Sequence, residues 1–236
     1  MITEQGVRAM TRRIWASLAL GVALVAAPAM ATVVTDKTWE LSLTTPDGWI
    51  AKPTPGTKSV FILRPTDEKS EANCVVSASR SEETKSANQQ QVNEAFKAPF
   101  GRDFWKEVHA DDRDVLIEHQ NARLHPSGMM SQEAVVAFID PQNSAQGRIK
   151  LMTTLLFAPG YLYGIGCGSL ESQFESYRTV FRQIEDSVRR TGGAEGFVNA
   201  LPAPAVSEAK LETPAAGPLA GAMQPALMDL ARTLKK

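Results

Sequence analysis

The chain has 236 residues, 25 Lys+Arg against 26 Asp+Glu and a formal net charge of −1, with 43% hydrophobic residues. This balance gives no electrostatic reason to expect a nucleic acid or an anionic lipid surface as partner. The length fits one domain with tails or two small domains, and the composition after about residue 190 favours one domain.

The first thirty-one residues read as an export signal. Arg8, Arg12 and Arg13 form a charged region, an apolar run follows from Ile14 to Pro28, and Ala29-Met30-Ala31 supplies a small-x-small cleavage pattern. The mature chain is then expected to begin at Thr32, in a periplasmic or secreted location. An uncleaved membrane anchor is the alternative, although the run sits at the short limit for a span. No Cys stands at the cleavage site, which argues against a lipoprotein. Thr11-Arg12-Arg13-Ile14-Trp15 loosely fits a twin-arginine signal as well, so the export route stays open. Removing residues 1–31, with three arginines and one glutamate, leaves 22 basic against 25 acidic side chains and a net charge of −3. No later apolar stretch approaches spanning length.

Trp39, Leu41 and Leu43 alternate with polar residues, the signature of a half-buried strand. Pro46-Asp47-Gly48 turns the chain, Trp49 follows, and Pro53, Pro55 and Gly56 predict an irregular stretch. Strands are expected over Ser59–Arg64 and Asn73–Arg80, the latter with Cys74, Val76 and Ala78 on one face. Between Ser86 and Lys97 the spacing of Val92, Ala95 and Phe96 predicts a helix ended by Pro99. Residues 100–112 show no clear period. Strands at Val115–Leu124 and Glu133–Asp140 flank a turn at His125-Pro126-Ser127-Gly128. Arg148–Phe157 and Tyr161–Gly168 make the clearest hairpin, joined by Ala158-Pro159-Gly160. The last helix has Ser172 as N-cap with Glu175 at capping-box spacing. Phe174, Tyr177, Phe181, Ile184 and Val188 form its apolar stripe; Arg178, Arg182, Glu185 and Asp186 face away, and Gly192-Gly193 ends it. The domain is thus drawn over residues 32–191. Residues 192–236 form an Ala/Pro-rich flexible tail with a short amphipathic helix at 226–236, whose Leu227, Leu230 and Leu234 share a face. A helix that short needs something to dock on, so these leucines are candidate partner-binding residues.

Cys74 and Cys167 are most simply read as one disulfide in an oxidising compartment, with two buried free thiols or metal ligation as alternatives. A bridge would close a loop of roughly 90 residues, worth about 4.6 kcal/mol in the chain-entropy description. Metal is disfavoured because neither cysteine has a Cys or His at ligand spacing. His109, His119 and His125 cluster near Asp111, Asp112, Asp114 and Glu118, but without helical pairing, so they are read as solvent-facing residues near a sheet edge. Ser127 and Ser169 lack the elbow context of a nucleophile and are read as turn and cap residues. Gly164, Gly166 and Gly168 recur at period 2 and bare the backbone along one strand face, which admits a closely packed helix or a ligand.

The order of elements predicts an α+β fold, an antiparallel sheet flanked by helices. It resembles the PsbP-like α/β/α sandwich, shared by a photosystem extrinsic protein, a Ran-binding nuclear-transport factor and many exported bacterial proteins. The resemblance spans roughly residues 38–190. It rests on Pro46-Asp47-Gly48-Trp49, on Tyr161-Leu162-Tyr163-Gly164, and on Tyr177-Arg178-Thr179-Val180-Phe181 with Ile184 and Ser187. It implies a binding or assembly factor without enzymatic activity; the cysteine pair and the tail are not part of the pattern. The expectation is an exported, non-catalytic protein of the cell envelope acting through a protein partner, with no cofactor, no metal and no nucleic acid. The alternative is a periplasmic small-molecule-binding protein using the Gly164, Gly166 and Gly168 face. A hydrolase or metal enzyme built on the histidine segment is the third reading.

Overall fold

The computed structural model describes residues 31–54 and 59–192. The expected export signal up to Met30, Gly193 and the expected tail beyond it, with the helix expected at 226–236 and Leu227, Leu230 and Leu234, lie outside the described residues.

Seven antiparallel strands form one sheet in the order β3-β4-β5-β9-β8-β7-β6. They are β3 (Trp49–Pro53), β4 (Ser59–Pro65), β5 (Asn73–Arg80), β6 (Arg113–Leu124), β7 (Met130–Ile139), β8 (Ile149–Ala158) and β9 (Tyr161–Leu170). A second, three-stranded sheet joins β1 (Thr32–Asp36), β2 (Leu41–Thr45) and β10 (Arg189–Arg190) in the order β1-β2-β10. Helices α1 (Gln89–Ala95) and α2 (Arg102–Val108) lie on one face of the large sheet; α3 (Glu171–Ser187) lies on the other, between that sheet and β2. The fold is the α+β sandwich that the order of elements predicted.

Two cores result from strand alternation, since successive side chains point to opposite faces. On the α3 side Leu63, Cys74, Val76, Tyr163, Ile165 and Cys167 meet Phe174, Phe181 and Ile184. Trp49 fastens this layer, its ring set edge-on to Tyr177 at 6.2 Å and to Phe181 at 6.1 Å. On the other side Val75, Leu151, Leu155, Phe157 and Leu162 meet Val92, Phe96, Trp105 and Val108. Phe96 stacks on Phe157 at 3.8 Å.

Several local expectations change. The stretch expected to be irregular begins as a strand: Trp49–Pro53 pairs with β4, because Pro53 stands last on an edge strand where a missing N–H is tolerated, while residues 55–58 lie outside the described ones. Thr32–Asp36 is a strand, completed by β2. The unassigned stretch holds α2, one of two helices on that side. In α1 the cap is Asn88, in a reciprocal capping box with Gln91. Ser172 is not the cap of α3. The helix begins at Glu171, whose N–H reaches the Arg148 carbonyl at 2.8 Å, and Leu170 precedes it without a side-chain cap. Nor does Gly192 end α3: the helix stops at Ser187, and Arg189–Arg190 pairs with β2. There Glu40 holds a left-handed backbone (φ 49°), its carboxylate bound by Arg190 Nε at 3.0 Å and Nη2 at 2.9 Å. The Arg190 and Tyr161 bonds hold the Glu40 carboxyl below its ordinary range against the opposing effect of burial.

Candidate functional site

Three places gather groups that could bind or react. The first is the centre of the large sheet. Cys74 and Cys167 face each other across the β5–β9 pair, fully buried and joined by a disulfide. Nothing in one strand's sequence indicates that the other lies beside it, since 93 residues separate them.

The second is the glycine row. Gly164, Gly166 and Gly168 stand opposite Ser77, Val75 and Asn73 on β5, and opposite Leu155, Thr153 and Leu151 on β8. All three are buried, on the face that α1 and α2 share. At Gly168 the lack of a Cβ serves a neighbouring strand: an added carbon would stand 3.1 Å from Leu151 Cδ1 and 3.1 Å from the Lys150 carbonyl. The same face continues outward through Val75 and Ile62 to the sheet edge at Lys52 and Ile50. There a cleft of about 590 Å³ opens over β3 and β4. Its floor carries Ile50, Ile62, Lys52 and Arg64, and its rim carries Asp67 and Glu68. Ile50 is 42% exposed, a large apolar side chain beside an edge strand.

The third is a polar cluster beneath the end of α3. Arg123 on β6 donates to Glu133 on β7 and to Asp186 on α3. Arg182 brings Nη1 to 3.0 Å from Glu133 and 3.3 Å from Glu185, without hydrogen-bond alignment to either. Glu185, expected to face away, is fully buried, and burial lifts its carboxyl to about 8 even against the pull of Arg182. The helix stripe misleads here because strands β6 and β7 reach under the last turns. Burial pushes His125 down to about 4. Its tautomer follows from its bonds: the Ser127 N–H donates to Nδ1 at 3.1 Å, leaving Nε2–H to donate to the Glu185 carbonyl at 3.0 Å.

Ser127 Oγ lies 2.6 Å from His125 Nδ1, and Asp186 Oδ1 lies 4.0 Å beyond Nε2. These are the residue types of a nucleophile relay, but not its chemistry. The histidine proton is spent on a main-chain carbonyl, the carboxylate is held by Arg123, and a base near pH 4 is too weak at neutral pH. His125 and His109 are therefore not solvent-facing as expected. His109 is buried at the end of α2, with Nδ1 2.7 Å from Asp112 and its ring 4.8 Å from Phe138. His119 is the exposed one. Among the described residues, no group of three or more His, Cys, Asp or Glu side chains is placed to hold a metal, and no helix is long and apolar enough to cross a membrane.

No protein-family model matches the chain, and no curated protein matches its sequence. Solved structures do. Cyanobacterial PsbP (CyanoP) from Synechocystis sp. PCC 6803 is 16% identical, with 72% of this chain and 97% of that one covered and a TM-score of 0.47. LpqN of Mycobacterium tuberculosis, described as involved in cell envelope biogenesis, is 12% identical, with 70% and 86% covered and a TM-score of 0.46. The likeness is one of layout.

Proposed function

We propose that this is an exported, non-catalytic binding protein of the cell envelope that works by associating with another protein. The observation that carries the reading is the buried Cys74–Cys167 bridge. A structural disulfide at the centre of a core persists in an oxidising compartment and is rare in a reducing one. The export segment ending at Ala31 supports the same address, since β1 starts at the next residue. The histidines and Ser127 support a non-catalytic role because each buried one has a structural bonding partner. The tail leucines Leu227, Leu230 and Leu234 are the proposed contact with the partner. In-cell crosslinking with affinity capture tests this, comparing residues 32–236 with a chain ending at Arg190. One specific envelope protein recovered with the full chain and lost with the short one is the expected result. A cytoplasmic, uncleaved chain with free thiols would overturn the proposal.

The β3–β4 cleft favours a second reading, a small-molecule-binding protein whose ligand sits on Ile50 and Ile62 beside the glycine row. Such a ligand would raise Tm by mass action, and a library of small apolar anions and cations giving no shift would remove it.

A further inference from the structure

The sheet face that α1 and α2 share is covered unevenly. The two helices rest chiefly on β8 and β6, yet Val75, Ser77 and Leu162 on β5 and β9 are as buried as the residues beneath the helices. The buried Ser77 hydroxyl has no hydrogen-bond partner among the described residues. Between Val75 and the glycine row the floor is low, because Gly164 and Gly166 carry no side chain. Toward the edge the floor continues through Ile62 to Lys52, with Ile50 two residues back along β3. From β9 to β4 this trough is two strand spacings wide, about 10 Å.

We infer that the occupant of this trough is the chain's own C-terminal segment, with Leu227, Leu230 and Leu234 seated on Gly164, Gly166, Val75 and Ile62. Three leucines at intervals of three and four share one face of a helix and span about 10 Å along it, the width of the floor. A helix of eleven residues is marginal alone and gains its order from such a surface. The tether suffices. Residues 193–226 number 34 and are rich in Ala, Pro and Gly, with a typical end-to-end distance of about 30 Å. A domain of this length has a radius of gyration of about 15 Å, so the segment reaches the face opposite α3. Tethering also sets an effective concentration near the millimolar range, so even weak docking is populated. The inference goes beyond the proposed function. The leucines that would engage a partner are held on the chain's own sheet until released, and this holds whether or not a partner exists.

The test uses residues 32–236 with the disulfide intact and Lys236→Cys carrying a nitroxide, which the bonded cysteines cannot take up. The expected result is selective broadening of the Ile62, Val75 and Leu162 methyl signals, with Ile184 and Val188 on the α3 side spared. Adding Leu230→Glu and Leu234→Glu should abolish the broadening, shift those three signals and lower Tm. Four outcomes overturn the inference. One is weak, uniform broadening; another is selective broadening at a different face. A third is equal broadening when nitroxide and isotope label are on separate, mixed chains, which would assign the trough to a second copy. The last is a Glu variant with unchanged signals and Tm.

Discussion

Glu185 and His125 share one buried cluster and respond to it in opposite senses. Burial raises the acid to about 8, so the folded state keeps a proton that the unfolded chain releases above its ordinary value of 4.5. Stability from Glu185 is therefore full below about pH 4.5 and is lost as pH rises toward 8. Burial lowers the imidazole to about 4 from 6.5, so its contribution is present above about pH 6.5 and is lost as pH falls to 4. Between pH 4.5 and 6.5 the two slopes oppose. We expect a stability plateau there, a decline from pH 6.5 to 8 and another near pH 4, read from urea midpoints. Arg182, Glu133 and Arg123 act on Glu185, and Arg123, Asp186 and Arg189 act on His125; Glu185→Gln isolates the alkaline arm. That variant should keep its midpoint nearly constant from pH 6.5 to 8. An undiminished decline would move the cause away from Glu185.

At the scale of elements, α3 is held by a wedge and β9 by a bridge. Phe181 is fully buried between Trp49, Phe174 and Tyr177, and Phe181→Ala should cost about 3–5 kcal/mol in chemical denaturation. A loss below about 1 kcal/mol would mean that α3 is not anchored there. Cys74→Ser should lower stability by about 2–4 kcal/mol, roughly 5–15 °C in Tm for a domain of this size. Thiol titration of the unfolded, unreduced protein should find none; two per chain would contradict the bridge. These elements were unequally legible in the sequence. β5, β8, β9 and the apolar stripe of α3 could be read because alternation and a 3.6 period survive wherever one core dominates. β3 was hidden by prolines that an edge strand tolerates, and α2 by its two-turn length. The inward turn of Glu185 was not visible, because two of the charges that act on it, Arg123 and Glu133, come from β6 and β7. The glycine row was legible as a bare strand face, but its lining on either side depends on strand order, which no local pattern carries.

In the whole molecule, β9 is the last strand of the large sheet to be made and stands at its middle, between β5 and β8. The strands of that sheet made before it fall into two separate pieces, β3-β4-β5 and β6-β7-β8, each with an edge that β9 later pairs. Neither the disulfide nor either core is complete until Leu170 is available. Pairing β5 with β9 closes a loop of some ninety residues, an entropic charge met only at that late stage. A chain ending at Gly160 should therefore be digested readily by protease, whereas one ending at Gly192 should resist; equal resistance would refute this order of events. For a chain exported unfolded, as the proposed function would allow, the consequence is one of timing: with its central strand made last it would stay threadable for most of its passage and lock only once that strand had emerged.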